Sequence, residues 1–110
     1  MDLEINHIKK EGKQFIFLKG EIDVYTSVKL KEILIPLTDI AENEVIVDLA
    51  QVSYIDSTGL GIFIGALKST HKNNSSLKLI GLVERVRRLF RITGLDEVID
   101  IEESKREEAK

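Results

Sequence analysis

The stretch Tyr54-Ile55-Asp56-Ser57-Thr58-Gly59-Leu60-Gly61 concentrates the side chains of this chain that are able to do chemistry. Asp56, Ser57 and Thr58 are all favoured at helix N-termini, where a side-chain oxygen accepts a hydrogen bond from a free backbone N–H. Capping alone accounts for any one of them. Three in succession exceed what one helix start uses, so at least one hydroxyl is expected to face solvent, where a kinase can reach it.

Catalytic uses of the same segment fail on their own requirements. A hydrolase elbow needs Gly-x-Ser-x-Gly, and Ile55 stands where its first glycine belongs. The only histidines, His7 and His71, are expected at the surface, in an opening strand and near a helix end. Gly59, Gly61 and Gly65 are spaced one residue too long for a dinucleotide fingerprint, and they read as small residues that let a helix pack closely on a sheet. No Gly-Lys-Ser/Thr phosphate loop is present. Asp23, Asp48 and Asp56 fall at strand ends, where carboxylates are common, and no metal site or cofactor is expected. The chain reads as a binding protein and not as an enzyme.

Composition narrows the class further. With 110 residues, 43% of them hydrophobic and 32% charged, the chain suits one globular domain with a single core. It has no cysteine, which excludes disulfides, thiolate metal sites and a catalytic thiol and suits a reducing cytoplasm. A formal charge of −3 and only 5% aromatic residues argue against nucleic acid as a partner. The cluster Arg85, Arg87, Arg88 and Arg91 reads as the solvated face of an amphipathic helix. The longest apolar run, Leu60 to Leu67, is too short to span a bilayer, and the first residues lack the pattern of a signal peptide.

The elements that position the central segment follow from periodicity. Leu3–Lys9 and Gln14–Lys19 read as two strands joined by a turn at Glu11-Gly12-Lys13. Apolar residues at Val28, Leu30, Ile33, Leu34 and Leu37 recur at helical spacing between Thr26 and Ile40, with Pro36 expected to bend or shorten that helix. Val45–Leu49 is a β-branched run suited to a strand buried on both faces, followed by a connection from Ala50 to Ser57. A helix from about Thr58 to Asn73 turns Leu60, Phe63, Ile64 and Leu67 inward and leaves Ile62 off that face. Leu77–Gly81 returns as a strand. Val83–Thr93 is an amphipathic helix with Val86, Leu89, Phe90 and Thr93 inward, closed by a left-handed Gly94. Val98–Ile101 is a short strand or the lead into a terminal helix, and residues 102–110 form a charged helix or tail. The order predicts an α/β fold, a mixed and largely parallel β-sheet with an N-terminal β-hairpin and helices packed on it. Partners of such sheets meet the loops at the carboxyl ends of the strands, here 20–25 and 53–59.

Asp56-Ser57-Thr58-Gly59-Leu60, Gly20-Glu21-Ile22-Asp23 and Arg88-Leu89-Phe90-Arg91-Ile92-Thr93-Gly94-Leu95 together resemble the STAS domain of bacterial anti-sigma factor antagonists. The resemblance runs from about residue 3 to residue 101 and is nearest to the general-stress, sigma-B branch, although Arg91 stands where relatives often carry an acidic residue. It implies a single STAS domain over residues 1–110 that acts by partner switching. The unphosphorylated form binds an anti-sigma factor with serine kinase activity and so frees a sigma factor. Phosphorylation of Ser57 ends that binding, and a protein serine phosphatase restores it. The docking surface implied comprises Asp23, Asp56, Thr58, Gly59 and Leu60, and Ile62 is added because it lies off the core face. No nucleic acid, membrane or cofactor is implied, and a cytoplasmic monomer or weak dimer is expected. A non-switching scaffold subunit of a stress-sensing complex and a small nucleotide-binding protein are the alternatives.

Overall fold

The computed structural model describes residues 2–102. Strands β1 (Leu3–Lys10) and β2 (Lys13–Ile22) form an antiparallel hairpin that pairs Lys10 with Lys13. The two turn residues, Glu11 and Gly12, take φ of 54° and 80°, as a type I′ turn requires to match the twist of its strands. Strands β3 (Glu44–Ile55), β4 (Ser76–Ile80) and β5 (Asp100–Ile101) then add in parallel, in the order β1-β2-β3-β4-β5.

The parallel steps are bridged by helices α1 (Ser27–Thr38), α2 (Ser57–Asn73) and α3 (Glu84–Ile92), the last followed by a 3-10 turn, Leu95–Glu97. Every step moves the same way across the sheet and such crossovers are right-handed, so the three helices share one face. Ile16, Leu18, Val45, Val47 and Leu79 from the strands join Leu30, Leu34, Phe63, Val86 and Phe90 from the helices in one buried cluster. Phe63 and Phe90 meet edge to face at 6.0 Å, locking α2 against α3. Pro36 lies in the last turn of α1, which ends two residues later.

Three expectations about the strands and α3 change. The run Val45–Leu49 is not buried on both faces. Val45, Val47 and Leu49 point to the helices, whereas Ile46 and Asp48 on the other face are only half-buried, because one-directional crossovers leave that face without a helix among the described residues. Ala50–Ile55 is strand and not loop. Between the pairs Phe17–Asp48 and Lys19–Gln51, and again between Gly20–Val52 and Glu21–Tyr54, β3 carries one residue more than β2. These two bulges space the buried residues Leu49, Val52 and Ile55 by three, which hides the alternation of a strand. Finally, Thr93 is exposed and its hydroxyl donates back to the Leu89 carbonyl at 2.8 Å. Gly94 takes φ 78° after it, in the left-handed region. Of the charged C-terminal stretch, residues 103–110 lie outside the described residues.

Candidate functional site: the entrance of α2

The carboxyl ends of β2 and β3 lie side by side, with Glu21 opposite Tyr54 and Ile22 opposite Ile55. The chain leaves β3 at Asp56, whose backbone N–H donates to the Ile22 carbonyl at 3.1 Å. Asp56 is the N-cap of α2. Its backbone is extended, its Oδ1 accepts from the Gly59 N–H at 3.0 Å, and its carbonyl accepts from the Leu60 N–H at 3.0 Å. The first turn of α2 therefore rests directly on the strand ends. A Cβ at Gly59 would stand 2.6 Å from Cγ2 of Ile22 and 2.8 Å from Cγ1 of Ile55, so only glycine permits this approach.

With the cap supplied by Asp56, Ser57 and Thr58 follow on the exposed side of the turn. Neither hydroxyl makes a hydrogen bond among the described residues. The backbone N–H groups of Ser57 and Thr58 precede the first intrahelical donor, Leu60, and give this end of α2 a partial positive charge.

The neighbouring loop, between β2 and α1, is closed by Asp23 and Thr26. Asp23 Oδ1 accepts from the Tyr25 and Thr26 N–H groups, both at 2.9 Å, and the Thr26 hydroxyl donates to the Glu21 carbonyl at 2.8 Å and accepts from the Asp23 N–H. The Thr26 N–H holds the Asp23 carboxyl below its ordinary value of 3.8; burial opposes this, and the Tyr25 N–H and the Thr26 hydroxyl reinforce it. Turned outward by the same turn are Val24, 53% exposed, and Tyr25, 81% exposed, with Val28, the second residue of α1, exposed beside them.

Several residues expected on the docking surface are not exposed. Asp23 is buried, with its carboxylate engaged by its own loop. Gly59 and Leu60 are buried against the strand ends and the core. Asp56 is half-buried as the cap. Ile62 is half-buried and packs against the core. At these strand ends the exposed side chains are Ser57, Thr58, Val24 and Tyr25. The sequence signal for the two loop residues was present as Asp-x-x-Thr, a turn pattern that turns its central side chains outward. Gly61, read as a packing glycine, is exposed one helical turn beyond Ser57, and a Cβ there would meet nothing within 4 Å. Gly65 has room as well, its added Cβ reaching only Ile35 at 3.9 Å.

The carboxylates do not converge. Asp48 Oδ1 accepts from the Ala50 N–H at 2.8 Å, and Asp23 and Asp56 each close their own turns. Among the described residues no group of three His, Cys, Asp or Glu is placed to hold a metal ion. His71 lies in the last turn of α2, about 20 Å along the axis from Ser57. His7 Nε2 is bonded to Gln14 Oε1 at 2.6 Å on the hairpin.

A hairpin-led sheet with three crossover helices on one face, and a serine presented beside a capping aspartate where α2 begins, places the chain among STAS domains. Residues 4–108 match that domain, and the chain belongs to the family. An anti-sigma-B factor antagonist of Staphylococcus epidermidis is 43% identical over 103 residues, 94% of this chain and 95% of that protein. The anti-sigma-B factor antagonist of Staphylococcus aureus strain NCTC 8325 is 39% identical with the same coverage. Among solved structures, an anti-sigma factor antagonist from Mycobacterium paratuberculosis superposes with a TM-score of 0.82 at 21% identity, covering 94% of this chain and 87% of that one. The anti-sigma factor antagonist SpoIIAA in its unphosphorylated form superposes with a TM-score of 0.70 at 16% identity over 98% of this chain and 94% of that one. The phosphorylated form of the Bacillus protein gives 0.68 at 16% identity, over 96% and 95%. Among the described residues no helix is long and apolar enough to cross a membrane.

Proposed function

We propose that this protein is an anti-sigma factor antagonist of the sigma-B type, switched by phosphorylation of Ser57. The unphosphorylated chain binds an anti-sigma factor that is also a serine kinase and thereby releases a sigma factor. The kinase transfers the γ-phosphoryl group of ATP to the Ser57 hydroxyl, the complex parts, and a serine phosphatase restores the cycle. The protein performs no catalysis itself. The observation that carries this reading is the exposed hydroxyl of Ser57, without a hydrogen bond among the described residues, one residue past an aspartate that already caps the helix.

The physics of the switch follows from that placement. A phosphate adds about −1.5 to −2 charges at pH 7. The open N–H groups of α2 favour it by about 0.3–1 kcal/mol, and the adjoining Asp56 carboxylate opposes it. The two effects nearly cancel within the domain, so the fold stays as it is. At a docked surface a dianion loses water without gaining a partner, which costs about 2–5 kcal/mol, or roughly 30- to several thousand-fold in affinity. The docking surface is Ser57, Thr58 and the exposed Val24 and Tyr25, held in shape by Asp23, Asp56, Gly59 and Leu60, with Ile62 at its margin.

Titration calorimetry of the chain against an anti-sigma-B factor tests this. Ser57→Ala is expected to bind as the wild type does, and Ser57→Asp to bind about 30-fold more weakly or worse, with melting temperatures unchanged. Loss of binding by a folded Ser57→Ala would make the serine a contact and not a switch.

A further inference from the structure

In a chain of net charge −3, α3 carries four arginines and one glutamate in nine residues. Arg91 is paired with Glu84 at 3.3 Å, and Arg87 is engaged elsewhere. Arg85 and Arg88 are exposed and make no ion pair among the described residues. They stand three positions apart, and Ile92, 71% exposed, follows at the seventh, so the three share one stripe of the helix. Packing does not explain an isoleucine there, since Val86 and Phe90 supply the buried contacts. The stripe begins at the site end of the molecule, because Arg85 and Val83 line a shallow groove with Ala50, Gln51, Val52 and Ser53 of β3, the strand that runs into Asp56 and Ser57.

We infer that the Arg85–Arg88–Ile92 stripe docks an acidic segment, bearing at least one apolar side chain, on the anti-sigma factor. This rests on the reading of Ser57 as a partner switch and names the chemistry of the surface it faces. Charge complementarity favours such a segment, since two exposed guanidinium groups with no ion pair among the described residues attract carboxylates, and the rest of the chain is net negative. An acidic partner surface also gives the Ser57 phosphate something to repel. Nucleic acid is disfavoured by the net charge and by the absence of any exposed aromatic side chain on α3.

The test uses the full chain and an anti-sigma-B factor, with calorimetry at 50 mM and 500 mM salt. Arg85→Glu/Arg88→Glu is expected to weaken binding about tenfold or more at low salt, and the gap should shrink to about twofold at high salt as charges are screened. Ile92→Ser should weaken binding at both salt concentrations, and neither variant should lower the melting temperature. If the double variant binds as the wild type does while Ser57→Asp does not bind, the stripe is no docking surface and the Ser57 switch stands. If the double variant weakens binding while Ser57→Asp does not, the stripe stands and the switch falls. A wild type that fails to bind overturns both, and retardation of a random DNA duplex that the double variant abolishes would reassign the stripe to nucleic acid.

Discussion

The backbone N–H of Asp56 donates to the carbonyl of Ile22 at 3.1 Å. This bond joins the last residue of β2 to the cap of α2 and so couples two loops that are far apart in sequence. One loop presents Ser57 and the other presents Val24 and Tyr25. A surface assembled this way can be tuned at either loop without disturbing the core, and the tests below exploit that separation.

Tyr25 is the most exposed large apolar side chain beside the site, at 81%. Tyr25→Ala is expected to change unfolding free energy by less than about 0.5 kcal/mol and to weaken anti-sigma factor binding by more than about 1 kcal/mol. Denaturant titration paired with calorimetry separates the two effects. Unchanged affinity would remove Tyr25 from the docking surface.

Gly59 and Gly61 should respond in opposite directions to the same substitution. Gly59→Ala forces a methyl to within 3 Å of Ile22 and Ile55, an overpacking that destabilises by about 1–3 kcal/mol. Part of that is offset by the better helix propensity of alanine. Gly61→Ala meets open space, so only propensity acts, and stability should rise by about 0.5–1 kcal/mol. Urea midpoints decide both. If Gly61 keeps the surface flat beside Ser57, the stabilised variant will bind the partner less well than the wild type.

Asp23 makes the stability of its loop sensitive to acid. Its carboxyl lies below the usual 3.8 because the Thr26 N–H, seconded by the Tyr25 N–H, favours the charged form. A depressed folded value means that the stabilisation is complete above the unfolded value and is lost as pH falls through the folded one. Asp23→Asn should therefore be less stable than the wild type at pH 6, with the difference closing below pH 3.8. Urea midpoints across that range measure it, and a difference independent of pH would exclude a contribution from the charge.

Much of the fold was legible because its signals are local. The turn at Glu11-Gly12, the helical spacing of Leu60 and Phe63, and Gly94 at the end of α3 all depend on neighbours in sequence. The continuation of β3 through Ile55 was not legible, since two bulges against β2 shift its buried residues to a spacing of three. The candidate site divides along the same line. The excess of capping residues at Asp56-Ser57-Thr58 announced a free hydroxyl. The inward turn of Asp23 is encoded within its own loop, by the bonds from the Tyr25 and Thr26 N–H groups. The close seat of Gly59 on Ile22 and Ile55 and the open space at Gly61 depend instead on how α2 sits on the strand ends, which no single segment encodes.

The most direct measurement is to incubate the protein with an anti-sigma-B factor and ATP, locate the phosphate by mass spectrometry, and measure the affinity of the modified protein by calorimetry. The expected result is a single phosphate on Ser57 and binding weakened about 30-fold or more, with an unchanged melting temperature. A phosphate confined to another residue, or a Ser57-phosphorylated protein that binds as tightly as before, would contradict the switch.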